Sequence, residues 1–126
     1  MDKKELQRRT KEFALRVFKL VDAMPQTAAG RALSNQLIRS GSSVGANYRA
    51  ACRARSRAEF TAKLGTVVEE AKESLYWLEL IRDAKLVAPT KIGLLLREAD
   101  ELTAIVVAGR KSASANQTSN TKHLKS

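Results

Sequence analysis

Hydrophobic residues recur every three or four positions along most of the chain, which is the spacing of one face of an α-helix. Four segments share this pattern: residues 2–24, 28–55, 57–85 and 90–109. Pro25 ends the first segment, and Gly109 is a suitable left-handed stop for the last. Because the three connections are short, consecutive helices must run antiparallel. The sequence therefore predicts an all-α, up-down-up-down antiparallel four-helix bundle over residues 1–111.

The second segment is the ambiguous one, because its centre contains a run of serines and glycines that would ordinarily indicate a loop. On either side of this run, Leu37 and Tyr48 stay on one apolar stripe if about 100° per residue is carried straight through it. The interpretation favoured here is one long helix with a close-packed waist of small residues.

Polar residues mark where the helices begin. Asp2 with Glu5, and Ser56 with Glu59, have the spacing of a capping box, in which each side chain satisfies a free backbone amide of the first turn. Thr27 is the expected cap of the second helix. By contrast, residues 112–126 are polar, lack periodicity and contain one leucine, so we expect a disordered tail.

Composition excludes several classes of protein. A chain of 126 residues fits one domain, and its single cysteine, Cys52, rules out an internal disulfide framework and any cysteine-based zinc site. No apolar run approaches the ~20 residues that cross a bilayer. The first residues are charged with no apolar stretch after them, unlike a secretory signal. We therefore expect a cytoplasmic protein with no membrane contact.

Positive charge is concentrated in one helix. The chain has 23 Lys plus Arg against 13 Asp plus Glu, a formal net charge of +10, and residues 25–57 contain no acidic residue at all. Five arginines, called here the arginine row, fall within a sector of about 80° if the helix is continuous. They are Arg31, Arg39, Arg49, Arg53 and Arg57. A cationic row without carboxylates indicates a polyanionic partner, namely the RNA or DNA backbone. The alternative is a solvated face that keeps a basic protein soluble.

The third helix has the opposite polarity, with Glu59, Glu69, Glu70 and Glu73 gathered on one side. Trp77 and Leu80 lie near that side and outside the main apolar stripe. They either pack on a neighbouring helix of the same bundle or anchor a subunit interface. In the second case the predicted interface residues are Trp77, Leu80, Glu59, Glu70 and Glu73, which would meet arginines of the next subunit in a head-to-tail ring.

Catalytic chemistry is not indicated. The only histidine, His123, lies in the predicted tail, so no triad and no histidine-containing metal site can form inside the bundle. Di-iron bundles need paired Glu-x-x-His motifs, which this sequence lacks. Cys52 interrupts an apolar stripe and is interpreted as a small buried hydrophobic residue. The prediction is a non-enzymatic protein with no catalytic residue, no metal and no cofactor.

Three stretches carry a family resemblance: residues 43–49, with the sequence SVGANYR, residues 56–60, SRAEF, and residues 73–78, ESLYWL. Together with their surroundings they resemble the bacterial four helix bundle protein family, also called 23S rRNA-intervening sequence proteins. The resemblance extends from the first helix to the fourth. It implies a four-helix bundle that assembles into a ring-like homopentamer with a basic surface, and it carries over no catalytic residue.

The resemblance also implies candidate partners. A related branch, the accessory variability determinant of diversity-generating retroelements, binds a reverse transcriptase and nucleic acid through such a pentamer. Three hypotheses follow for this chain. It binds nucleic-acid phosphates through the arginine row, or it is a structural module whose arginines pair with glutamates across subunits, or it is an accessory subunit of a reverse transcriptase or another nucleic-acid enzyme.

Overall fold

The computed structural model describes the backbone of residues 1–125 and the side chains of residues 1–116. Within these bounds the chain is all-α, with four helices and no strand. The helices are α1 (Lys3–Asp22), α2 (Ala28–Cys52), α3 (Arg57–Asp83) and α4 (Pro89–Lys125). The start of α4 and both ends of the other three helices lie within three residues of the predicted bounds.

Side-chain caps define three of the four helix starts. The Asp2 carboxylate accepts a hydrogen bond from the Glu5 amide at 2.8 Å, and the Thr27 and Ser56 hydroxyls each accept one at 3.1 Å from the amide three residues on. These caps satisfy amides that have no partner within the helix. The fourth helix begins at Pro89, where a missing N–H costs nothing because a first-turn amide would be free anyway.

Each helix packs against the next one along the chain, and α1 also packs against α4, which closes the four-helix arrangement. The packing of α1 on α2 shows their antiparallel direction, since Thr10 lies opposite Gly45 whereas Val17, further along α1, lies opposite Gly41. Buried aliphatic and aromatic residues from all four helices fill the centre. The largest fully buried ones are Phe13, Leu37, Leu64, Leu78, Ile81, Ile92 and Leu102.

Small residues let the middle of α2 approach its neighbours closely, and α2 is unbroken there. A Cβ atom at Gly41 would lie 3.1 Å from a Val17 methyl carbon, and one at Gly45 would lie 3.2 Å from the Thr10 hydroxyl. On the α3 side, the Ser74 hydroxyl donates to the Ser40 hydroxyl at 2.9 Å. Any larger side chain at these positions would push the helices apart.

The fourth helix does not end where predicted. The prediction of a stop near Gly109 and a disordered tail from residue 112 is wrong for residues 112–116, which continue α4. Gly109 does not adopt the left-handed conformation that would end the helix, and Ala113 packs against the core. The side chains of residues 117–125, including His123, and the whole of Ser126 lie outside the described part of the chain.

Candidate nucleic-acid interface

The arginine row lies on the outer side of α2 and at the first residue of α3, and all five of its side chains are exposed. Because α2 contains no acidic residue, any carboxylate beside the row must come from another helix or a connection. The row is divided according to whether another part of the chain supplies a hydrogen-bond acceptor, either a carboxylate or a backbone carbonyl.

Arg39, in the middle of α2, is paired within the chain. Its Nη1 donates to Oε2 of Glu70 at 3.2 Å, and its Nη2 donates to Oε1 of Glu73. The same Oε1 of Glu73 accepts a hydrogen bond from Nε1 of Trp77 at 3.3 Å. Arg31, one helix turn into α2, donates to the backbone carbonyl of Gln26 in the preceding turn. Two positions of the row are thus already engaged by groups of the same chain.

Arg49, Arg53 and Arg57 are in a different situation. Among the residues with described side chains, no carboxylate lies within 4.0 Å of any of these three. They cluster where α2 ends and α3 begins. An unpaired, exposed guanidinium keeps its fork of donors available for bidentate contact with a phosphate.

Further cations surround the same end of the bundle. Lys3 and Lys4 begin α1, Arg55 lies between α2 and α3, and Arg110 and Lys111 extend along α4. These five, with Arg49, Arg53 and Arg57, are called here the basic end. The Arg110 guanidinium lies against α3, since its Nη2 is 3.0 Å from where a Cβ would be at Gly65. Glycine at this position leaves room for the charged group.

The few carboxylates near the basic end have other roles. Asp2 caps α1, and Glu5 lies 3.8 Å from Arg8. Glu59 accepts a hydrogen bond from the backbone amide of Arg55 at 3.0 Å and lies 3.8 Å from the Lys63 ammonium. None of these contacts involves a guanidinium of the basic end, so the region retains a strong excess of positive charge.

A cavity of about 430 Å³ opens at the basic end, between the start of α1, the end of α2, the start of α3 and the extension of α4. It is called here the end cavity. Its lining residues are Lys3, Ala51, Cys52, Ala54, Arg57, Phe60, Gly109, Ser112, Ala113 and Asn116. The Lys3 ammonium lies 5.1 Å from the centroid of the Phe60 ring. One wall of this cavity comes from the segment predicted to be disordered.

Cys52 is half-buried rather than buried, and it lines the end cavity. It also hydrogen-bonds with Tyr48, whose ring is part of the core. Burial, reinforced by this hydrogen bond, raises the pKa of Tyr48 well above its ordinary value. The phenol therefore stays neutral, and its ring packs in the core.

Three of the predicted interface residues have partners within the chain. Glu70 and Glu73 pair with Arg39, and Glu59 caps the start of α3. Trp77 and Leu80 are both half-buried, and Trp77 packs against the core as well as against Tyr76, with ring centroids 5.2 Å apart. Tyr76 itself is 53% exposed. The outer side of α3 thus presents apolar surface, but its acidic residues Glu70 and Glu73 are occupied.

Sequence reasoning missed a cleft of about 640 Å³ between α1 and α4. Exposed cations line it around an apolar floor that includes Leu20 and Leu95, and these cations are Arg16, Lys19, Lys91 and Arg97. No pattern within either helix signals this cleft, because it exists only when the first and last helices pack together.

An ion pair joins α1 and α4 beside this cleft. Nη2 of Arg9 lies 2.9 Å from Glu98 and 3.3 Å from Glu101. Burial works to lower the pKa of Arg9, but the hydrogen bonds and attraction of these two carboxylates raise it overall. Arg9 is therefore a structural cation, whereas the four cations lining the cleft have no carboxylate within 4.0 Å among the described side chains.

The described part of the chain contains no cluster of three or more His, Cys, Asp or Glu side chains suited to hold a metal ion. No helix within the same residues is both long enough and apolar enough to cross a membrane. Within the same residues, unpaired positive charge gathers at the basic end of the bundle.

Comparison with known proteins identifies the family. A model of the 23S rRNA-intervening sequence protein family matches residues 2–108. The chain belongs to this family. A crystal structure of a protein of unknown function from the S23 ribosomal protein family of Bacteroides thetaiotaomicron is similar, with a TM-score of 0.79 and 31% sequence identity. The similarity covers 88% of this chain and 99% of that one. No curated protein matches the chain.

The 23S rRNA-intervening sequence match includes the whole arginine row but stops before the wall of the end cavity. It ends at residue 108, whereas Ser112, Ala113 and Asn116 lie beyond it. The arginine row therefore belongs to the part of the chain that the family model matches, and one wall of the end cavity comes from residues outside that part.

Proposed function

We propose that this 23S rRNA-intervening sequence protein is a non-enzymatic bundle that binds nucleic-acid phosphates through its basic end, without strong sequence preference. One observation carries the proposal: Arg49, Arg53 and Arg57 are exposed together and have no carboxylate within 4.0 Å among the described side chains. Self-repulsion of such a cluster is relieved when it contacts a polyanion.

Binding of this kind is driven by the release of counterions from the nucleic acid. Each phosphate that a cation neutralises contributes about −0.9 to the slope of log affinity against log salt for duplex DNA, and about −0.7 for a single strand. Phosphate contacts position a protein but carry no sequence information. A bundle that offers guanidinium groups and no groove-reading helix would therefore bind many sequences with similar affinity.

The proposal assigns unequal roles to the arginine row. Arg39 would have to give up Glu70 and Glu73 to contact a phosphate, so its net contribution is small. Arg31 is held by the backbone of its own turn. The binding surface is therefore centred on Arg49, Arg53 and Arg57, with Lys3, Lys4 and Arg110 beside them.

In the cell, such a protein would work in the cytoplasm beside RNA or DNA and without membrane contact. An accessory role for an RNA- or DNA-processing enzyme fits the proposed non-enzymatic, phosphate-binding bundle. The family resemblance adds a reverse transcriptase as one candidate enzyme partner.

The test is a charge reversal with a matched control. We expect the double variant Arg53→Glu, Arg57→Glu to lose at least about tenfold in affinity for a single-stranded RNA, and its salt slope to fall by about 1.5. The control, Arg16→Glu with Arg97→Glu, makes the same change in net charge at exposed cations of the cleft between α1 and α4. Its loss should stay below about threefold. Fluorescence anisotropy at two salt concentrations measures both.

Equal losses in the two double variants would mean that RNA responds to the net charge of the protein and to no particular surface. Unchanged affinity in the Arg53→Glu, Arg57→Glu protein would contradict the proposal outright. Circular dichroism of each variant verifies that helical content is kept.

A second candidate function, self-association, is favoured by the outer side of α3. Tyr76 is 53% exposed there and packs against the half-buried Trp77 with their rings tilted by 56°, and Leu80 lies one turn further on. Aromatic residues of this kind are frequent anchors of subunit interfaces. The proposed assembly is a homo-oligomer, a ring-like homopentamer by family resemblance, in which these residues contact the next subunit.

Light scattering after size exclusion tests the assembly. Trp77→Ala and Tyr76→Glu should each shift the mass toward that of one chain, and Tyr76→Glu should do so without loss of helicity because its side chain is exposed. An unchanged mass in both variants would exclude this side of α3 as the interface. Arg39→Glu should leave the mass unchanged, because its glutamate partners belong to the same chain.

A further inference from the structure

The end cavity combines three kinds of surface. Phe60 and three alanines provide apolar walls, Lys3 and Arg57 provide positive charge, and Ser112 and Asn116 provide hydrogen-bonding groups. Its volume of about 430 Å³ falls within the roughly 300–1,000 Å³ of sites that hold small organic ligands. It opens at the basic end, where the proposed function places the phosphate backbone.

We propose that the end cavity receives one unpaired nucleobase from the nucleic acid bound at the basic end. This inference rests on the proposed function and adds a preference to it. A base inside a duplex is stacked and paired and cannot enter the cavity, whereas a base in a single strand or an overhang can. The protein should therefore prefer unpaired nucleotides although it reads no sequence.

Phe60 is the stacking group. Its ring is half-buried, so it is held in place by the bundle, and it lines the end cavity with the Lys3 ammonium over it at 5.1 Å from the centroid. Lys3 is exposed and has a flexible stem, so a base can displace it. The released ammonium is then available to the phosphate of the same nucleotide. Stacking on an aromatic ring tolerates every base, because each base has a π-face.

Charge and polarity at the rim are consistent with a nucleotide rather than a neutral apolar ligand. Arg57 lines the cavity and has no carboxylate within 4.0 Å among the described side chains, so it can contact the phosphate next to the inserted base. Asn116 can both donate to and accept from a base edge. This combination accepts purines and pyrimidines without distinguishing sharply between them.

The cavity depends on the continuation of α4. Ser112, Ala113 and Asn116 form one wall, and they lie beyond residue 108, where the family match ends. The preference for unpaired nucleotides is thus inferred for this chain from its own residues, and it is separable from phosphate binding.

The experiment compares two ligands with the full-length protein: an RNA duplex of about 12 base pairs with blunt ends, and the same duplex with a short single-stranded overhang that carries 2-aminopurine. Wild-type protein should bind the overhang duplex about tenfold more tightly, and 2-aminopurine fluorescence should change on binding because the base leaves its stacked neighbours. Phe60→Leu keeps an apolar side chain but removes the ring. Ser112→Trp fills the cavity from an exposed position on α4.

Both variants should bring the ratio of the two affinities to within about twofold and abolish the fluorescence change, while the affinity for the blunt duplex stays unchanged. A ratio that remains near tenfold in Ser112→Trp, or a wild-type ratio near one, would overturn the inference. Millimolar AMP serves as a further probe and should compete only weakly, since it lacks the neighbouring phosphates. Displacement of RNA by micromolar AMP would instead indicate a site for free nucleotides and would also overturn the inference.

The two proposals fail in distinguishable ways. If Arg53→Glu, Arg57→Glu binds the blunt duplex as well as wild type does, the proposed function is wrong. If that variant loses affinity for both ligands, but Phe60→Leu and Ser112→Trp retain the full preference, phosphate binding stands and the end cavity has no role in it.

Discussion

The middle of α2 and its C-terminal end carry the same residue type on the same side of one helix, but they have different neighbours. In the middle, α3 supplies Glu70 and Glu73 to Arg39, and glycines bring α1 into close contact. At the end, Arg53 has no carboxylate within 4.0 Å among the described side chains, and the helices separate to leave a cavity. A row of charges in a sequence therefore does not by itself define a binding surface. Contacts with the neighbouring helices determine which of those charges remain available.

The largest change in stability should come from replacing a small residue with leucine in the middle of α2 and beside the end cavity. Gly45→Leu should lower the free energy of unfolding by about 2–3 kcal/mol, because even the Cβ of the new side chain would lie 3.2 Å from the Thr10 hydroxyl. Ala54→Leu, beside the end cavity, should cost less than about 1 kcal/mol because the side chain can enter open space. Urea denaturation measures both. Equal costs would show that the end of α2 is packed as tightly as its middle.

Reversing the charge of one arginine in the middle of α2 and of one at its end tests the same difference, with a smaller expected effect on stability. Arg39→Glu should lower the free energy of unfolding by about 1–2 kcal/mol, because it removes two ion pairs and places a third carboxylate beside Glu70 and Glu73. Arg53→Glu should change stability by no more than about 0.5 kcal/mol. If Arg39→Glu is as benign as Arg53→Glu, the pairing seen in the middle of α2 is energetically unimportant.

Removing the acidic partners should make the middle of α2 behave more like its end. In Glu70→Gln, Glu73→Gln the Arg39 guanidinium is released, and RNA affinity should rise by about threefold. A matched control is Glu69→Gln with Glu79→Gln, which removes the same charge from α3 at carboxylates that have no basic group within 4.0 Å among the described side chains. The control should raise affinity less. An equal rise in both would mean that only net charge matters and that Arg39 is not held back by its partners.

The smallest effect concerns pH. Burial and the hydrogen bond with Cys52 raise the pKa of Tyr48, so the folded protein holds this proton more tightly than the unfolded chain does. The corresponding stability is fully present below the ordinary tyrosine pKa of about 10 and is lost as the pH rises above it. Tyr48→Phe should therefore flatten the fall in unfolding free energy above that pH. An unchanged slope would place this phenol in contact with water.

Much of the fold could be predicted from the sequence because its determinants are local. The caps at Asp2, Thr27 and Ser56 depend on residues three positions apart, and the apolar stripe of α2 continues through its serines and glycines. Helical periodicity and capping are both properties of short segments, so one chain is enough to recognise them.

The end of α4 and the division of the arginine row could not be predicted, because both depend on residues distant in sequence. The local sequence around Gly109 favours the end of a helix, but the packing of Ala113 against the core favours the continuation of α4. Arg39 and Glu73 are 34 positions apart, and only the packing of α2 on α3 brings them together. The end cavity likewise needs residues from all four helices.

The most direct test of the central claim is to observe the arginine side chains while RNA is added. In a nitrogen-15 NMR titration of the guanidinium Nε–H groups at about 0.15 M salt, the signals of Arg49, Arg53 and Arg57 should shift with added RNA, and that of Arg39 should not. Uniform shifts across the whole arginine row, or a shift confined to Arg39, would contradict the claim that pairing within the bundle decides which arginines bind phosphate.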